Sequence, residues 1–347
     1  MKEPKIALII VNYNQQHFLD TCLDSIFGQT YKNIDVYFID NNSPDTAYLK
    51  FLTKKYPFKE VIANKENLGY PTAANQGMRL AKDADYIVVT NPDIIYSPSY
   101  IEKIVHRIKK DPRIGAATGK IYKYDFKEKT ATKYIDTTGL YIDKSMRVTD
   151  GGQGCLDKGQ FDREREVFGV SGACPIYKKE ALEAINLQNE YFDEDFFMYK
   201  DDVDLSWRMQ LAGFKSLYYP KSVAFHGRGT GVIERRTTRQ IFKNRKKLSQ
   251  FQRYYSFRNQ HLMCLKNVPW GTYLRYLPHI LLRDITTFVY ALLYEPFQFK
   301  AIYEYIKMSP LFIKKRRYIM KHRKSSTRKI NRWMQEKPPT TANSPRK

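Results

Sequence analysis

Short apolar runs alternate with amphipathic helical segments along the first third of this chain. The run Ile6–Val11 is continuously apolar, which is typical of a parallel strand covered on both faces. Residues 17–27, which follow, place apolar side chains at helical spacing. The predicted strands are 6–11, 34–39, 60–63, 86–89 and 114–118, and the predicted helices are 17–27, 47–55, 72–81 and 98–109. This order predicts an α/β fold: an open, mainly parallel, Rossmann-like sheet with helices on both faces.

Acidic or amide side chains follow each of the first four predicted strands. The four clusters are Asn12–Asn14, Asp40–Asp45, Asn64–Tyr70 and Thr90–Asp93. One such cluster indicates only a turn, but ligands of open α/β sheets bind outside the carboxyl ends of the strands. Four clusters at one edge therefore predict a polar, oxygen-rich crevice. No GxGxxG follows the first strand, and Gly115–Lys120 is too short for a P-loop and lies within a strand, which excludes dinucleotide and NTPase sites.

Charge divides the chain into a neutral body and a basic C-terminal third. Residues 232–347 carry 27 basic and 5 acidic side chains, whereas residues 1–231 carry 32 and 31. The four cysteines are far apart and form no CxxC, which argues against a disulfide framework or a cysteine zinc site and favours a reducing, cytosolic location. The N-terminal apolar run is too short for a signal peptide, and no stretch offers a clean membrane span.

The basic third contains an apolar, aromatic stretch, residues 269–299. Arg275, His279 and Arg283 interrupt it at four-residue steps and would share one helix face, as in an interfacial helix. The basic run 314–324 suits anionic lipid headgroups. We therefore expect a body at 1–231, a helical, amphipathic, membrane-associating extension at 232–310 and a basic, partly disordered tail at 311–347. The alternative is a helical cap packed on the body. Nucleic-acid binding is disfavoured because no nucleic-acid-binding signature occurs.

The motif order resembles that of family 2 glycosyltransferases with the GT-A fold. VNYNQ, IDNNSPD, NLGYPTAANQG and TNPD occur in sequence, and GVSGACPIYKKEAL and FFMYKDDVDLSWRMQLAGF continue the pattern, over about residues 5–230. Within the family the chain is most similar to bacterial rhamnosyltransferases of cell-surface polysaccharide synthesis. The resemblance implies that 1–231 is a GT-A catalytic domain. It also implies an inverting transfer of a sugar from a nucleotide diphosphate donor.

The resemblance implies a divalent metal, Mg²⁺ or Mn²⁺, which prefers hard oxygen ligands. Asp93 stands in the place of the family's DxD motif, although Asn91 replaces the first acid. Because one carboxylate remains, a second protein ligand is expected, and His226 is the candidate. Arg228 is a candidate phosphate contact. The alternatives are a helix cap for Asp93, a satisfied buried side chain for His226 and plain surface charge for Arg228.

An inverting transfer needs a general base for the acceptor hydroxyl. The family carries an acidic pattern at the place of Asp201, Asp202 and Asp204, where a helix N-terminus would also stabilise negative charge. The resemblance implies Asp202 as the base, with Asp201 as the rival and Asp204 as a local support.

Asp40 matches the family acid that accepts the imino N–H of a pyrimidine, which favours UDP or dTDP donors. The other nucleotide- or donor-binding positions implied are Asn12, Tyr13, Asn67, Gly69, Asn75, Asn91, Asp93 and Gly172. The expected reaction is transfer of rhamnose from dTDP-rhamnose, or of a sugar from a UDP donor, to a lipid-linked or growing glycan. The enzyme would be peripheral on the cytoplasmic face of the cell membrane and bind its anionic surface. The alternatives are an inactive glycosyltransferase-like scaffold, which Asn91 favours slightly, and a basic membrane- or nucleic-acid-binding protein.

Overall fold

The computed structural model describes residues 3–227, 245 and 248–339. Its strands are β1 Ile6–Asn12, β2 Ile34–Asp40, β3 Glu60–Ala63, β4 Tyr86–Thr90, β5 Ile94–Tyr96, β6 Ile114–Asp125, β7 Thr130–Thr137, β8 Leu140–Ile142, β9 Val148–Asp150, β10 Arg165–Val167, β11 Ile176–Lys178 and β12 Lys215–His226. Its α-helices are α1 Gln16–Phe27, α2 Ala47–Lys55, α3 Tyr70–Leu80, α4 Tyr100–Ile108, α5 Lys179–Ala184, α6 Asp201–Ala212, α7 Gln250–Asn267, α8 Trp270–Tyr294, α9 Gln298–Lys321 and α10 Thr327–Asn331.

Most of the strands join one mixed, mainly parallel sheet. Its order is β10-β12-β6-β11-β4-β1-β2-β3, with β5 paired to β12 and β7 to β6. The neighbours β4, β1, β2 and β3 are parallel, and β6 is parallel to β12. The antiparallel strand β11 lies between β4 and β6. Every residue of β1 is buried, because the sheet is covered on both faces. The predicted sheet class is therefore confirmed.

The predicted strands and helices of the first third agree with the structure to within a few residues, except that β6 continues to Asp125. The short strand β5 was not predicted. It pairs antiparallel with the end of β12, and the register places Ile94 opposite His226. Because Asp93 directly precedes β5, this pairing brings two distant motifs together at the carboxyl edge of the sheet.

The C-terminal helices share a core with the α/β body. Leu262 on α7, Phe312 on α9 and Trp333 pack with Trp207 of α6 in one buried cluster. Helix α9 runs through the expected boundary at residue 310, and the ordered chain continues past Trp333. Residues 311–321, 327–331 and 333–335 are helical, and Phe312, Ile330 and Trp333 lie in the same buried cluster as Trp207, so this part of the expected tail packs on the body.

No helix in the described part of the chain has the length and apolar character to cross a membrane. The four-residue spacing suggested that Arg275, His279 and Arg283 share one exposed face of α8, but the structure separates them. Arg275 and His279 are exposed, but Arg283 is buried and donates a hydrogen bond to the Ser145 carbonyl oxygen at 2.5 Å. One face of α8 therefore packs on the body, as the cap alternative required, while many apolar side chains of the helix remain exposed.

Candidate active site

Asp93 and His226 meet at the end of the β5–β12 pairing. The Asp93 Oδ2 atom lies 3.3 Å from His226 Nε2, and both side chains are almost completely buried. His226 Nδ1 lies 2.8 Å from Oδ2 of Asp136, which β7 contributes. The Gly227 N–H donates to the Asp93 carbonyl oxygen at 2.9 Å, an approach that a side chain at residue 227 would obstruct by meeting Phe126. We call Asp93, His226 and Asp136 the histidine corner.

Asp136 fixes the direction of the imidazole. A metal-ligating histidine commonly donates its other ring N–H to a carboxylate, which orients the ring. Burial lowers the pKa of His226, but the charge and hydrogen bond of Asp136, together with Asp93, outweigh it and raise the pKa to about 9. In the described residues no group of three or more metal-binding side chains occurs. Asp93 Oδ2 and His226 Nε2 fit a divalent cation that takes its other ligands from a diphosphate and water, and binding of that cation would release the proton from Nε2.

Three acids occupy the first turn of α6, and each has different partners. Asp202 Oδ2 accepts a hydrogen bond from the Gly172 N–H at 2.9 Å, and Oδ1 accepts one from the Val203 N–H at 2.7 Å. Asp204 is fully buried and accepts from Arg208 at 2.9 Å. It also meets Lys266 at 2.7 Å. Asp204 is therefore a structural anchor, as expected, whereas Asp202 is partly exposed beside the Gly172 loop. Asp201 is more deeply buried.

Asp201 and Asp202 lie where ionisation is costly. Burial and the neighbouring charge of Asp202 raise the pKa of Asp201 to about 8. Burial also raises the pKa of Asp202, while its hydrogen bond from Gly172 opposes that rise. A general base works best when its pKa approaches the operating pH. The buried Asp201 and the partly exposed Asp202 beside it therefore provide a suitable place to accept a proton.

The charges of the histidine corner and of the acids of α6 both act on Tyr70, the first residue of α3. Burial raises the pKa of Tyr70 well above its usual value, and the charges of Asp201, Asp202 and Asp93 raise it further. The Tyr70 hydroxyl is buried and has no hydrogen-bond partner among the described residues. Sequence reasoning did not single out Tyr70, because an aromatic residue at a helix start suggests packing.

Asp40 and Asn12 lie beneath the crevice rather than on its surface. Both are fully buried, and the Asn12 amide donates to Asp40 Oδ2 at 3.3 Å. Asp40 also accepts from the Ser43 N–H at 2.8 Å, the Ser43 hydroxyl at 2.6 Å and the Tyr48 hydroxyl. Contact of Asp40 with a nucleobase stays a prediction, and it requires one of these donors to move. Tyr13 is exposed at the same edge.

The loop after β3 is held by amide groups and a glycine. Asn67 Oδ1 accepts from Asn41 at 2.9 Å and from the Gly69 N–H at 3.0 Å. Gly69 has a φ of +83°, and a Cβ there would lie 2.4 Å from the Phe197 carbonyl oxygen. Asn75 is fully buried and exchanges hydrogen bonds with the backbone of Phe192 at 2.8 and 2.9 Å. The polar atoms of Asn75 therefore join α3 to Phe192, and its contact with the nucleotide stays a prediction.

The remaining predicted positions divide into three cases. Asn91 is partly exposed beside Asp93. Gly172 lies against Asp202, since a Cβ at residue 172 would sit 3.4 Å from the Asp202 Cβ. Arg228 lies outside the described residues. Asp136 was missed because residues 120–170 show no clear period, although a lone acid within strand-forming sequence was a usable signal.

A family model, described as Glycosyl transferase family 2, matches residues 7–185 of the chain. That is just over half of the chain, and the match contains the four motifs at the sheet edge. The chain belongs to glycosyltransferase family 2. The protein is therefore a glycosyltransferase.

One curated relative of this glycosyltransferase comes from Mycobacterium tuberculosis. It is the N-acetylglucosaminyl-diphospho-decaprenol L-rhamnosyltransferase, and it is 27% identical over 240 residues, which cover 64% of this chain and 75% of the relative. The expected similarity to rhamnosyltransferases is thus confirmed.

Two solved structures share the fold of this glycosyltransferase. Staphylococcus aureus TarS 1-349, crystallised with UDP, has a TM-score of 0.53 and 13% identity, covering 91% of this chain and 90% of that one. The mannosyltransferase PcManGT from Pyrobaculum calidifontis, crystallised with GDP-Man and Mn²⁺, has a TM-score of 0.51 and 15% identity, covering 96% and 89%. These matches confirm the GT-A fold with a C-terminal helical region.

Proposed function

We propose that this enzyme transfers a sugar, with rhamnose from dTDP-rhamnose favoured over a UDP-sugar, to a lipid-linked or growing cell-surface glycan. The observation that carries the proposal is the meeting of Asp93 with His226 at the carboxyl edge of the sheet, 3.3 Å apart, where Asp136 orients the imidazole. The corner offers a site for a metal-bound diphosphate, and Asp202 offers a carboxylate for the acceptor. A family 2 relative that uses a decaprenol-linked acceptor supports the choice of acceptor class.

Asp202 would remove the proton of the acceptor hydroxyl as that oxygen attacks the donor sugar. The Gly172 and Val203 N–H groups hold both carboxylate oxygens in fixed directions. The oxygen that accepts from Gly172 faces the loop that we assign to the donor sugar. Because Asp201 is buried beside it, a charge on Asp202 is retained more easily when Asp201 keeps its proton.

Asp93 and His226 would hold Mg²⁺ or Mn²⁺, with Asp136 orienting the imidazole. When bound, such an ion neutralises the charge that develops on a departing nucleoside diphosphate. Asn91 would contact the same ligand without adding charge, and Tyr13 would line the nucleoside.

Thermal stabilisation by a panel of nucleotides tests this proposal. A ligand that binds only the folded protein raises its melting temperature by mass action. We expect dTDP or UDP to stabilise the protein in the presence of Mn²⁺ or Mg²⁺, and ATP and NAD to have no effect. If no nucleoside diphosphate stabilises the protein, the transferase assignment of the site is wrong and the inactive scaffold is favoured.

We also propose that α8 and α9 dock on the anionic cytoplasmic face of the membrane. Seven of their apolar side chains are 63–69% exposed: Trp270, Leu274, Leu282, Leu293, Tyr294, Tyr303 and Ile306. Exposed apolar patches on this scale mark interaction surfaces. The C-terminal third that contains them carries a net charge of +22, from 27 basic and 5 acidic residues. This combination is suited to anionic lipid headgroups over a shallow apolar layer.

Vesicle flotation tests the membrane surface. The double variant Leu282→Glu and Tyr303→Glu should lose binding to vesicles containing phosphatidylglycerol, because it places carboxylates on the docking face. Phe51→Glu changes an exposed aromatic residue of α2 and serves as the matched control. Equal binding of the double variant and the control would remove α8 and α9 from the membrane surface. A change of oligomeric state without a change of lipid binding would make them a subunit interface.

A further inference from the structure

The four residues before α6 hold an unusual backbone conformation. Phe197, Tyr199 and Lys200 have φ values of +61°, +67° and +70°, although none of them is glycine. Positive φ is disfavoured for side chains of this size, and it persists only where the surrounding structure enforces it. The chain passes directly from this segment into Asp201 and Asp202. The contacts that hold this segment in its positive-φ conformation therefore also set the position of Asp201 and Asp202.

Asn259 of α7 satisfies the carbonyl groups of this segment. Its Nδ2 donates to the carbonyl oxygens of Phe196 at 2.9 Å, Met198 at 2.7 Å and Tyr199 at 3.0 Å. Asn259 is fully buried, so water cannot replace these donors.

Arg258 completes the arrangement. Its Nε donates to Asn259 Oδ1 at 3.0 Å, which directs the Asn259 amide nitrogen at the carbonyls. Its Nη2 donates to the carbonyl oxygens of Asp195 at 2.9 Å and Phe196 at 3.1 Å. Glu304 of α9 pairs with Nη1 at 3.0 Å and fixes the guanidinium from behind. The arginine fork thus makes contacts that a lysine cannot reproduce.

The opposite side of the segment rests on the loop after β3. The Tyr70 N–H donates to the Phe197 carbonyl oxygen at 2.8 Å, at the close approach that Gly69 permits. The segment therefore forms hydrogen bonds on one side with the loop at the carboxyl edge of the sheet and on the other side with helix α7.

We infer that Arg258 and Asn259 are positioning residues for Asp201 and Asp202 in the transfer reaction. This inference rests on the proposed function, and it gives a purpose to an Arg-Asn pair that lies outside the matched family region. The two residues touch neither donor nor acceptor in this account. They act by holding residues 196–200 in the conformation that directs Asp202 at the Gly172 N–H.

The test compares Asn259→Ala with Gln260→Ala in a donor-turnover assay. Gln260 is a neighbouring buried amide on α7, but its Nε2 donates to the Met146 carbonyl oxygen at 2.8 Å, away from the segment. A small misplacement of a reacting group can reduce rate about 100-fold. We expect Asn259→Ala to lower kcat about 100-fold with an unchanged donor KM, and Gln260→Ala to leave kcat near the wild-type value.

A double-mutant cycle with Asp202→Asn separates positioning from general destabilisation. If Asn259 acts through Asp202, Asn259→Ala should reduce the residual turnover of Asp202→Asn only slightly. An equal fold-loss in both backgrounds would overturn the inference. If Asp202→Asn itself turned over normally, the base assignment would fail instead, and so would the inference that rests on it.

Arg258→Lys tests the positioning role if Asn259→Ala does not fold. It retains a cation for Glu304 but loses the fork that reaches Asp195 and Phe196. We expect a smaller loss of kcat, about 10-fold, again with an unchanged donor KM. Wild-type kcat in folded Arg258→Lys would contradict the inference.

Discussion

The histidine corner and the acids of α6 both contain aspartates, but their charged neighbours differ: the corner pairs aspartates with an imidazole, whereas α6 places aspartates beside each other. In the corner, Asp93 and Asp136 flank an imidazole, and they raise the pKa of His226 to about 9. At α6, Asp201 and Asp202 are consecutive residues, and burial together with the Asp202 charge raises the pKa of Asp201 to about 8. Aspartates thus stabilise the charge of His226 in the corner, whereas at α6 one aspartate, Asp201, keeps its own proton. We expect binding to depend on the corner and turnover on α6.

Asp202→Asn should have the largest effect. The amide keeps the size of the side chain but cannot accept the proton, and the loss of a general base costs about 10²–10⁴ in rate. We expect turnover, measured as nucleoside diphosphate release, to fall by that factor. Asp83→Asn, at an exposed acid that pairs with Lys5, is the matched control and should keep full turnover. Normal turnover in Asp202→Asn would move the base elsewhere.

Asp93→Ala should mainly affect binding. It removes the one carboxylate of the corner that faces His226 Nε2. We expect the melting-temperature shift given by dTDP or UDP to lose its dependence on Mn²⁺, with an affinity loss of about 100-fold. A metal-dependent shift equal to that of the wild type would exclude Asp93 from the site.

Asp136→Asn should produce a smaller loss at the same corner. The side chain holds His226 Nδ1 and does not face the predicted ligand side. Loss of such an orienting carboxylate typically weakens metal affinity 10–100-fold. We expect about a 10-fold rise in the Mn²⁺ concentration needed for half-maximal nucleotide binding, measured by titration. An unchanged Mn²⁺ requirement would show that Asp136 serves only the fold.

Asp201→Asn should change the pH dependence of stability. The unfolded carboxyl group titrates near pH 3.9, whereas the folded one keeps its proton up to about pH 8. Between these values the unfolded state binds fewer protons, so the wild-type stability falls as pH rises. The variant lacks this decline, and its melting temperature relative to the wild type should rise by about 2 °C or more from pH 5 to pH 8.5.

Asp83→Asn is the control for the pH dependence of the melting temperature of Asp201→Asn. Hydrogen bonding to Lys5 lowers the pKa of Asp83, so that acid is ionised throughout this pH range in both states. Its replacement should leave the slope of melting temperature against pH unchanged. Parallel slopes for Asp201→Asn and the wild type would contradict a raised pKa at Asp201.

The sequence predicted the sheet well because its strands are short, apolar and bounded by polar clusters. Through motif order it also predicted one crevice for Asp93, His226 and Asp202, and the side chains of Asp93 and His226 do lie 3.3 Å apart. It could not predict the antiparallel strand β5, which has only three residues and carries no period of its own. Asp136 and Arg258 depend on contacts over long sequence separations, which local patterns do not contain. The exposed apolar face of α8 was predicted, but the burial of Arg283 was not, because it depends on the carbonyl of Ser145.

The central claim is that nucleotide binding depends on the histidine corner and turnover on the acids of α6. Its most direct test is calorimetric titration of dTDP and UDP, each with Mn²⁺, into the wild type, Asp93→Ala and Asp202→Asn. The account predicts that Asp202→Asn binds the nucleoside diphosphate as tightly as the wild type, while Asp93→Ala loses the Mn²⁺-dependent part of the affinity. Equal loss of affinity in both variants would contradict it, because the two groups of carboxylates would then form a single binding site.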